Sequence, residues 1–279
     1  MTIRGHVYAG AMTGVAFRKG HGTGNDFVVL PDPTDSLVLT PDLARAVCDR
    51  RFGIGGDGVI RVAPAAEGWF MDYWNSDGSI GLMCGNGARL FARHLVDGGL
   101  VAAGEFDIVT RGGIRRVSAP ADGDISVSMG PVTAGSVPDV TVRLGDTEHP
   151  ATAAFVPNPH AVVFLDSLTG LGDITGAVAG PTEVYPDAAN IEFVEVVGPD
   201  RVAMRVLERG SGETLSCGTG ACAVAWAHAR VNGAAGDDVT VEVPGGEVRV
   251  TLGDDVVLSG PAEFVAEGLI DAEWWAAHS

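Results

Sequence analysis

The 279-residue sequence predicts an α+β fold of two pseudo-symmetric lobes, each a strand-rich sheet or barrel around one long central helix. Three observations carry that expectation. The first is an internal repeat: displaced by 133 residues, the chain falls on itself. Met71 then lies on Met204, Leu82 on Leu215, Cys84 on Cys217, Gly85 on Gly218, Gly87 on Gly220 and Ala88 on Ala221. Asn25 lies on Asn158, Asp57 on Asn190, and the Gly112-Gly113 pair on Gly245-Gly246. A single ungapped offset held that far marks two copies of one fold. The second observation is the period-two alternation of "DISVSMG", "EVRVTL" and "DVVLSG", the pattern of strands with one buried face. The third is that the two longest helical patterns, "GNGARLFARHLVDGG" and "GTGACAVAWAHARVNG", sit at matched positions and each closes on glycine. Strand-rich copies built around single helices give two α+β lobes.

The elements follow in order. Residues 1–14 are Gly-rich, precede the first clear strand and read as an extension whose order the sequence leaves open. Asn25 is followed by the apolar strand core "VVL", and "TPDLARAVCDRR" has a helical pattern in which Cys48 reads as a small buried apolar residue. The N-terminal lobe is expected over 15–131 and the C-terminal lobe over 132–265, with the boundary inside "MGPVTAGSVPDV", residues 129–140. In the second copy Asn158 leads into "AVVFL", and the spaced apolar residues of "SLTGLGDITGAV" suggest a further helix. The segment "EFVAEGLIDAEWW" comes after the second copy is complete, so residues 266–279 are expected to rejoin the first lobe.

Composition removes several function classes. Acidic residues outnumber basic ones 36 to 18, for a net charge of −18, which argues against a nucleic-acid partner. No uncharged apolar run approaches the ~20 residues of a membrane span, and the first residues lack a signal peptide's apolar core. The expectation is a cytoplasmic protein with no membrane association. Of the 18 basic residues only Lys19 is a lysine, so a pyridoxal phosphate Schiff base would have one candidate. The cysteines Cys48, Cys84, Cys217 and Cys222 form no C-x-x-C and lack a neighbouring His pair, which is not a zinc pattern. We therefore expect reduced thiols, no metal and no cofactor, with a small amino acid as the ligand. Whether the chain forms a homodimer is left open.

The repeat concentrates on Cys-Gly-x-Gly. In each copy a cysteine precedes a helix that starts in glycines, where free N–H groups make an anion site and the partial positive charge is expected to lower the thiol's pKa. If the lobes face each other, two thiols flank one carbon while two helix N-termini hold a carboxylate. That arrangement suits inversion of a stereocentre beside a carboxylate, one cysteine removing a proton from one face and the other returning one to the opposite face. The N–H groups of Gly85-Asn86 and Gly218-Thr219 would stabilise the charge that develops.

The motifs "KGHGTGNDFVVL", "FGIGGDGV", "NSDGSIGLMCGNGAR", "PNPHAVVF", "ANIEFVEV" and "RVLERGSGETLSCGTGACA" resemble the diaminopimelate epimerase family. The resemblance implies interconversion of LL- and meso-diaminopimelate without pyridoxal phosphate or metal, in lysine and cell-wall synthesis. It implies Cys84 and Cys217 as the acid/base pair, and His160 and Glu208 as the polar pair that tunes them. The carboxylate site falls on Gly85, Asn86, Gly218 and Thr219, and the substrate-binding side chains on Asn25, Asn75, Asn158, Asn190, Glu208 and Arg209. At Gly58 the chain departs from members that carry a substrate-touching glutamine after "GIGGD". Two other readings remain: a racemase of another amino acid on the same fold, and a non-enzymatic thiol switch or binding protein.

Overall fold

The computed structural model describes residues 14–134 and 140–279. The extension therefore lies outside the described residues up to position 13, as does part of the expected lobe boundary, positions 135–139. The first copy runs β1 (Gly14–Gly22), β2 (Asn25–Pro31), α1 (Pro41–Cys48), β3 (Gly58–Pro64), β4 (Trp69–Asn75), α2 (Gly85–Asp97), β5 (Gly104–Thr110), β6 (Gly113–Ala119) and β7 (Ile125–Gly130). After the short β8 (Thr133–Ala134) and β9 (Val140–Leu144), the second copy gives β10 (Thr147–Val156), β11 (Asn158–Leu165), β12 (Val178–Gly180), β13 (Asn190–Gly198), β14 (Arg201–Glu208) and β15 (Gly212–Thr214). It continues through α3 (Gly218–Val231), β16 (Asp238–Val243), β17 (Gly246–Thr251) and β18 (Val256–Gly260), and the chain ends in β19 (Glu263–Asp271) and α4 (Ala272–His278).

The strand pairings repeat with the sequence. In the first copy β1–β2 is antiparallel, β2–β3 parallel, β3–β4 antiparallel, β4–β5 parallel, and β5–β6 and β6–β7 antiparallel. The second copy has the same order in β10–β11, β11–β13, β13–β14, β14–β16, β16–β17 and β17–β18. Equivalent strands β7 and β18 pair antiparallel across the middle, Ser126 opposite Ser259, and join the lobes through backbone. Each copy also sends its tail to the other lobe. β8 pairs with β10, and β19 lies along the whole of β1, from Glu263 opposite His21 to Asp271 opposite Gly14.

α2 and α3 are the lobe axes. Every residue of α2 from Gly85 to Leu95 is buried, as expected of a helix enclosed on all sides rather than amphipathic. Of its polar members, Arg93 donates to the carbonyls of Pro120, Ala121 and Gly123 at 2.7–2.9 Å, and Arg89 Nε donates to the Pro261 carbonyl at 3.2 Å while both its Nη atoms lack a partner among the described residues. α3 is one residue longer and carries smaller, more apolar side chains, with Ala221, Cys222, Ala223, Val224, Ala225 and Ala227 all buried. One apolar cluster runs through both lobes around these two helices. Separate clusters lie beyond the sheets, under α1 and α4 in the first lobe and under the segment around Ile174 in the second. Burying a large aliphatic or aromatic side chain such as Leu90 or Phe91 contributes about 1.5–3 kcal/mol.

One local expectation is corrected. "SLTGLGDITGAV" forms no helix: Gly170 and Gly172 take φ of 79° and 72°, and Ser167 and Asp173 make local turn bonds to Thr169 and Thr175. Its spaced apolar residues Leu168, Leu171, Ile174 and Ala177 still pack on the outer cluster of the second lobe, so burial and not helicity set the spacing. The C-terminus adds the short α4, capped by the Asp271 carboxylate at the N–H groups of Glu273 and Trp274. No helix among the described residues is long and apolar enough to cross a membrane.

Candidate active site

Each cysteine occupies the N-cap of its lobe's central helix, in extended backbone. The preceding segment is pinned the same way in both copies: Gly112 N–H donates to the Leu82 carbonyl at 2.8 Å, and Gly245 N–H to the Leu215 carbonyl at 3.0 Å. These bonds come from the tight turns after β5 and β16, whose next residues Gly113 and Gly246 take φ of 101° and 136°, which only glycine adopts freely. The repeated Gly-Gly thus fixes where each cysteine starts its helix. The two N-termini then meet. A methyl group added to Gly218 would come within 3.4 Å of the Gly85 Cα and 2.9 Å of Leu258, and one added to Gly85 within 2.7 Å of Leu258, so a side chain at either first position would have to displace Leu258.

Both cysteines open onto one cleft of about 700 Å³ between the lobes. Its walls also carry Asn25, Asn75, Asn86, Asn158, Asn190, Glu208, Arg209, Gly85, Gly218 and Thr219, every site residue named from sequence except His160. Cys84 Sγ accepts from Gly87 N–H at 3.5 Å and donates to Asn25 Oδ1 at 3.7 Å. Cys217 Sγ lies 3.5 Å from the Thr219 hydroxyl. Thr219 in turn receives Asn158 Nδ2 at 3.3 Å, and Asn158 Oδ1 meets His160 Nε2 at 3.1 Å. Fully buried His160 rests its Nδ1 on Glu192 Oε1 at 2.6 Å. His160 therefore stands behind the cleft wall and reaches Cys217 only through two intervening side chains.

The electrostatics differ from the sequence expectation. Burial pushes the Cys84 thiol up to about 11 despite the N–H groups of Gly87 and Asn86. It pushes Cys217 well above its ordinary value, with the Glu208 and Glu192 carboxylates adding to the effect. The helix N-termini do act in the expected direction; desolvation of the thiolate outweighs them. Burial also raises the Glu208 carboxyl, opposed by hydrogen bonds from Thr214 and Cys217. Thr214 Oγ1 donates to Glu208 Oε1 at 2.5 Å.

The family model described as diaminopimelate epimerase matches residues 17–134 and 152–265. The chain belongs to the diaminopimelate epimerase family. It is 48% identical to the diaminopimelate epimerase of Streptomyces coelicolor, over 94% of this chain and 97% of that one. Two solved structures share the fold at low identity. A hydroxyproline epimerase from Agrobacterium vitis has a TM-score of 0.71 at 13% identity, covering 92% of both chains. A phenazine biosynthesis protein of the PhzF family from Bacillus anthracis has a TM-score of 0.70 at 17% identity, covering 93% of this chain and 99% of that one. As a member of the epimerase family the chain is an isomerase.

Further contacts shape this epimerase-family site, several of them at residues the sequence did not point to. Arg209, on the cleft wall, gives its backbone N–H to Asn190 Oδ1 at 2.9 Å and Nη1 to the Asp187 carbonyl at 3.3 Å. Tyr73 fills the space beside Gly58, where an added Cβ would lie 2.6 Å from the Trp74 carbonyl and 2.7 Å from the Tyr73 ring. The Tyr73 hydroxyl then donates to Asn75 Oδ1 at 2.6 Å. Across the lobes, Thr23 Oγ1 and Ser216 Oγ are 2.6 Å apart, and Asn86 Nδ2 reaches the Ser216 carbonyl at 3.3 Å. Both contacts hold the residue before Cys217. The family resemblance pointed to neither, because Thr23 and Ser216 read as ordinary turn and loop residues. Glu192 had a signal, two positions beyond Asn190 in a strand where period two places both on one face.

Proposed function

We propose that this chain interconverts LL- and meso-diaminopimelate by moving a proton between Cys84 and Cys217 on opposite faces of the α-carbon. The observation that carries the reading is two thiols at the N-caps of equivalent helices, lining one cleft. The helix N–H groups at Gly85-Asn86 and Gly218-Thr219 receive the reacting carboxylate and stabilise charge that spreads onto it as the α-proton leaves. The asparagines bind ammonium and carboxylate without adding net charge. Arg209 takes the carboxylate at the far end as a planar, bidentate partner.

One cysteine acts as thiolate and removes the α-proton; the other, as thiol, delivers its own proton to the opposite face. In the reverse direction they exchange roles. The raised thiol pKa values matter twice. They keep most of the resting sulfur protonated, and they make the thiolate, once formed, a stronger base toward a weakly acidic C–H bond. Glu208 hydrogen-bonds Cys217 and has a raised pKa, which suits it to accept that thiol's proton. Schiff-base chemistry has no lysine in the cleft, because Lys19 is committed to Asp26 and the Gly55 carbonyl.

The test is incubation with LL-diaminopimelate in deuterated water. Deuterium at an α-carbon together with the meso isomer supports the assignment. Deuterium entering only other amino acids points to a racemase of another substrate, and none entering at all points to a thiol switch.

A further inference from the structure

We infer that Asp57, outside the substrate-binding set, is a positioning residue that fixes the Asn25 side-chain amide with its oxygen toward the Cys84 thiol. Asn25 Nδ2 donates to Asp57 Oδ2 at 2.8 Å, and a carboxylate oxygen can only accept. That contact decides which end of the amide turns inward. At the inward end Asn25 Oδ1 receives Asn86 Nδ2 at 3.2 Å and Cys84 Sγ at 3.7 Å. Asn86 cannot be turned round either, because its Nδ2 also reaches the Ser216 carbonyl, another obligate acceptor. The orientation of Asn25 thus follows from groups of fixed polarity at both ends. Asp57 is itself anchored: the same Oδ2 accepts Asp26 N–H at 3.1 Å, and Arg50 holds Oδ1 at 2.7 Å.

The second copy is built differently at the matching place. Asn190 stands there, and its Oδ1 accepts Arg209 N–H, while Asn158 is held by His160. Two cysteines alike in sequence therefore face unlike neighbours: Cys84 has an amide oxygen and the Gly87 N–H, Cys217 the Thr219 hydroxyl and the Glu208 carboxylate. The Asn25 acceptor favours S–H and fixes its direction, against the pull of the Gly87 N–H toward the thiolate; an Asn25 amide turned round would add a second N–H there. The inference rests on the two-cysteine reading and adds that the carboxylate at position 57 keeps Cys84 in its proton-donating form.

Three variants separate acceptor from charge: Asp57→Asn, Asp57→Leu and Asp57→Ala. The Asp57 side chain is 38% exposed, so all three should fold, which thermal melting checks. In Asp57→Asn two donors, Asp26 N–H and Asn25 Nδ2, need an acceptor at the Oδ2 position against one, Arg50 Nη2, at Oδ1, and Arg50 keeps Asp26 Oδ1, so the new amide oxygen stays toward Asn25. That variant should turn over diaminopimelate close to the wild-type rate. Asp57→Leu and Asp57→Ala leave Asn25 free to rotate and should lose about tenfold in kcat, short of the ~10²–10⁴-fold cost of removing an acid or base outright. In those two the iodoacetamide alkylation rate of Cys84, read on its peptide by mass spectrometry at fixed pH, should rise, while Asp57→Asn stays at the wild-type rate. Equal impairment of all three variants, or wild-type behaviour of Asp57→Leu, overturns the proposal. The alkylation pattern does not depend on substrate, so it tests the role of Asp57 even if wild-type protein fails to turn over diaminopimelate.

Discussion

Acidification should loosen the first lobe through a single buried histidine. His94 lies in the last turn of α2, 6% exposed, with Nδ1 facing Arg18 Nη1 at 3.4 Å. Its ring meets Phe264 of the crossover strand β19 edge-on at 6.2 Å. Burial, reinforced by the Arg18 charge, lowers its pKa from 6.5 to about 4, against a weaker pull from Asp97. A helix C-terminus favours imidazolium by only about 0.3–1 kcal/mol, too little to reverse the burial term. The unfolded chain takes up the proton first as pH falls, so stability rises with pH across this window. The contribution is complete above about pH 6.5 and gone below about pH 4. At about 1.4 kcal/mol per pH unit the gap is worth on the order of 3 kcal/mol.

The measurement is urea unfolding at several pH values across that window, for wild type and His94→Gln. Glutamine keeps an acceptor for Arg18 and has no proton to gain. Acid also protonates paired carboxylates in both proteins, so the difference between the two curves is the quantity of interest. Wild type should lose on the order of 3 kcal/mol more than the variant. Parallel curves would mean that His94 is already charged or solvated in the native state, and the burial argument would fail.

Two further outcomes follow from the site. Cys84→Ala and Cys217→Ala should each cut turnover by ~10²–10⁴-fold or more, whereas Cys48→Ala and Cys222→Ala, which alter buried thiols held near pKa 12, should leave it nearly intact. A folded Cys222→Ala as inactive as Cys217→Ala would refute the pairing of the repeated cysteines. Gly58→Ala should lower stability by about 1–3 kcal/mol and raise KM, because the new methyl presses on the Tyr73 ring that holds Asn75. An unchanged melting temperature would show that Tyr73 moves aside without penalty.

What the sequence made legible was whatever the duplication wrote twice. The matched motifs at Cys84 and Cys217 point to equivalent helices, and the structure gives α2 and α3 with equivalent strand neighbours. Position-by-position matching could also place Asn25 opposite Asn158. It could not show that one amide rests on a carboxylate and the other on a histidine, because the partners Asp57 and His160 are not equivalent residues. The thiol acidity was misjudged for a related reason. A helix N-terminus is visible in a Gly-x-Gly pattern, but the desolvation that outweighs it depends on how completely the opposite lobe covers each sulfur. The 167–178 segment failed on periodicity alone, where an apolar residue every third or fourth position served an irregular chain as well as a helix.

The same duplication explains why the cleft suits an anion even before any side chain is considered. α2 and α3 meet end to end at Gly85 and Gly218, so two helix N-termini, each carrying about half a positive charge, converge on one place. Two like partial charges that converge on one place repel, and a carboxylate placed between the termini would be attracted to both. Glycine at both first positions lets the two helices approach this closely. The lobes cannot drift freely apart, since β7 pairs with β18 and each tail strand is laced into the opposite lobe. Backbone alone therefore holds both thiols and both N-termini in register, and the side chains around them supply the differences between the two copies.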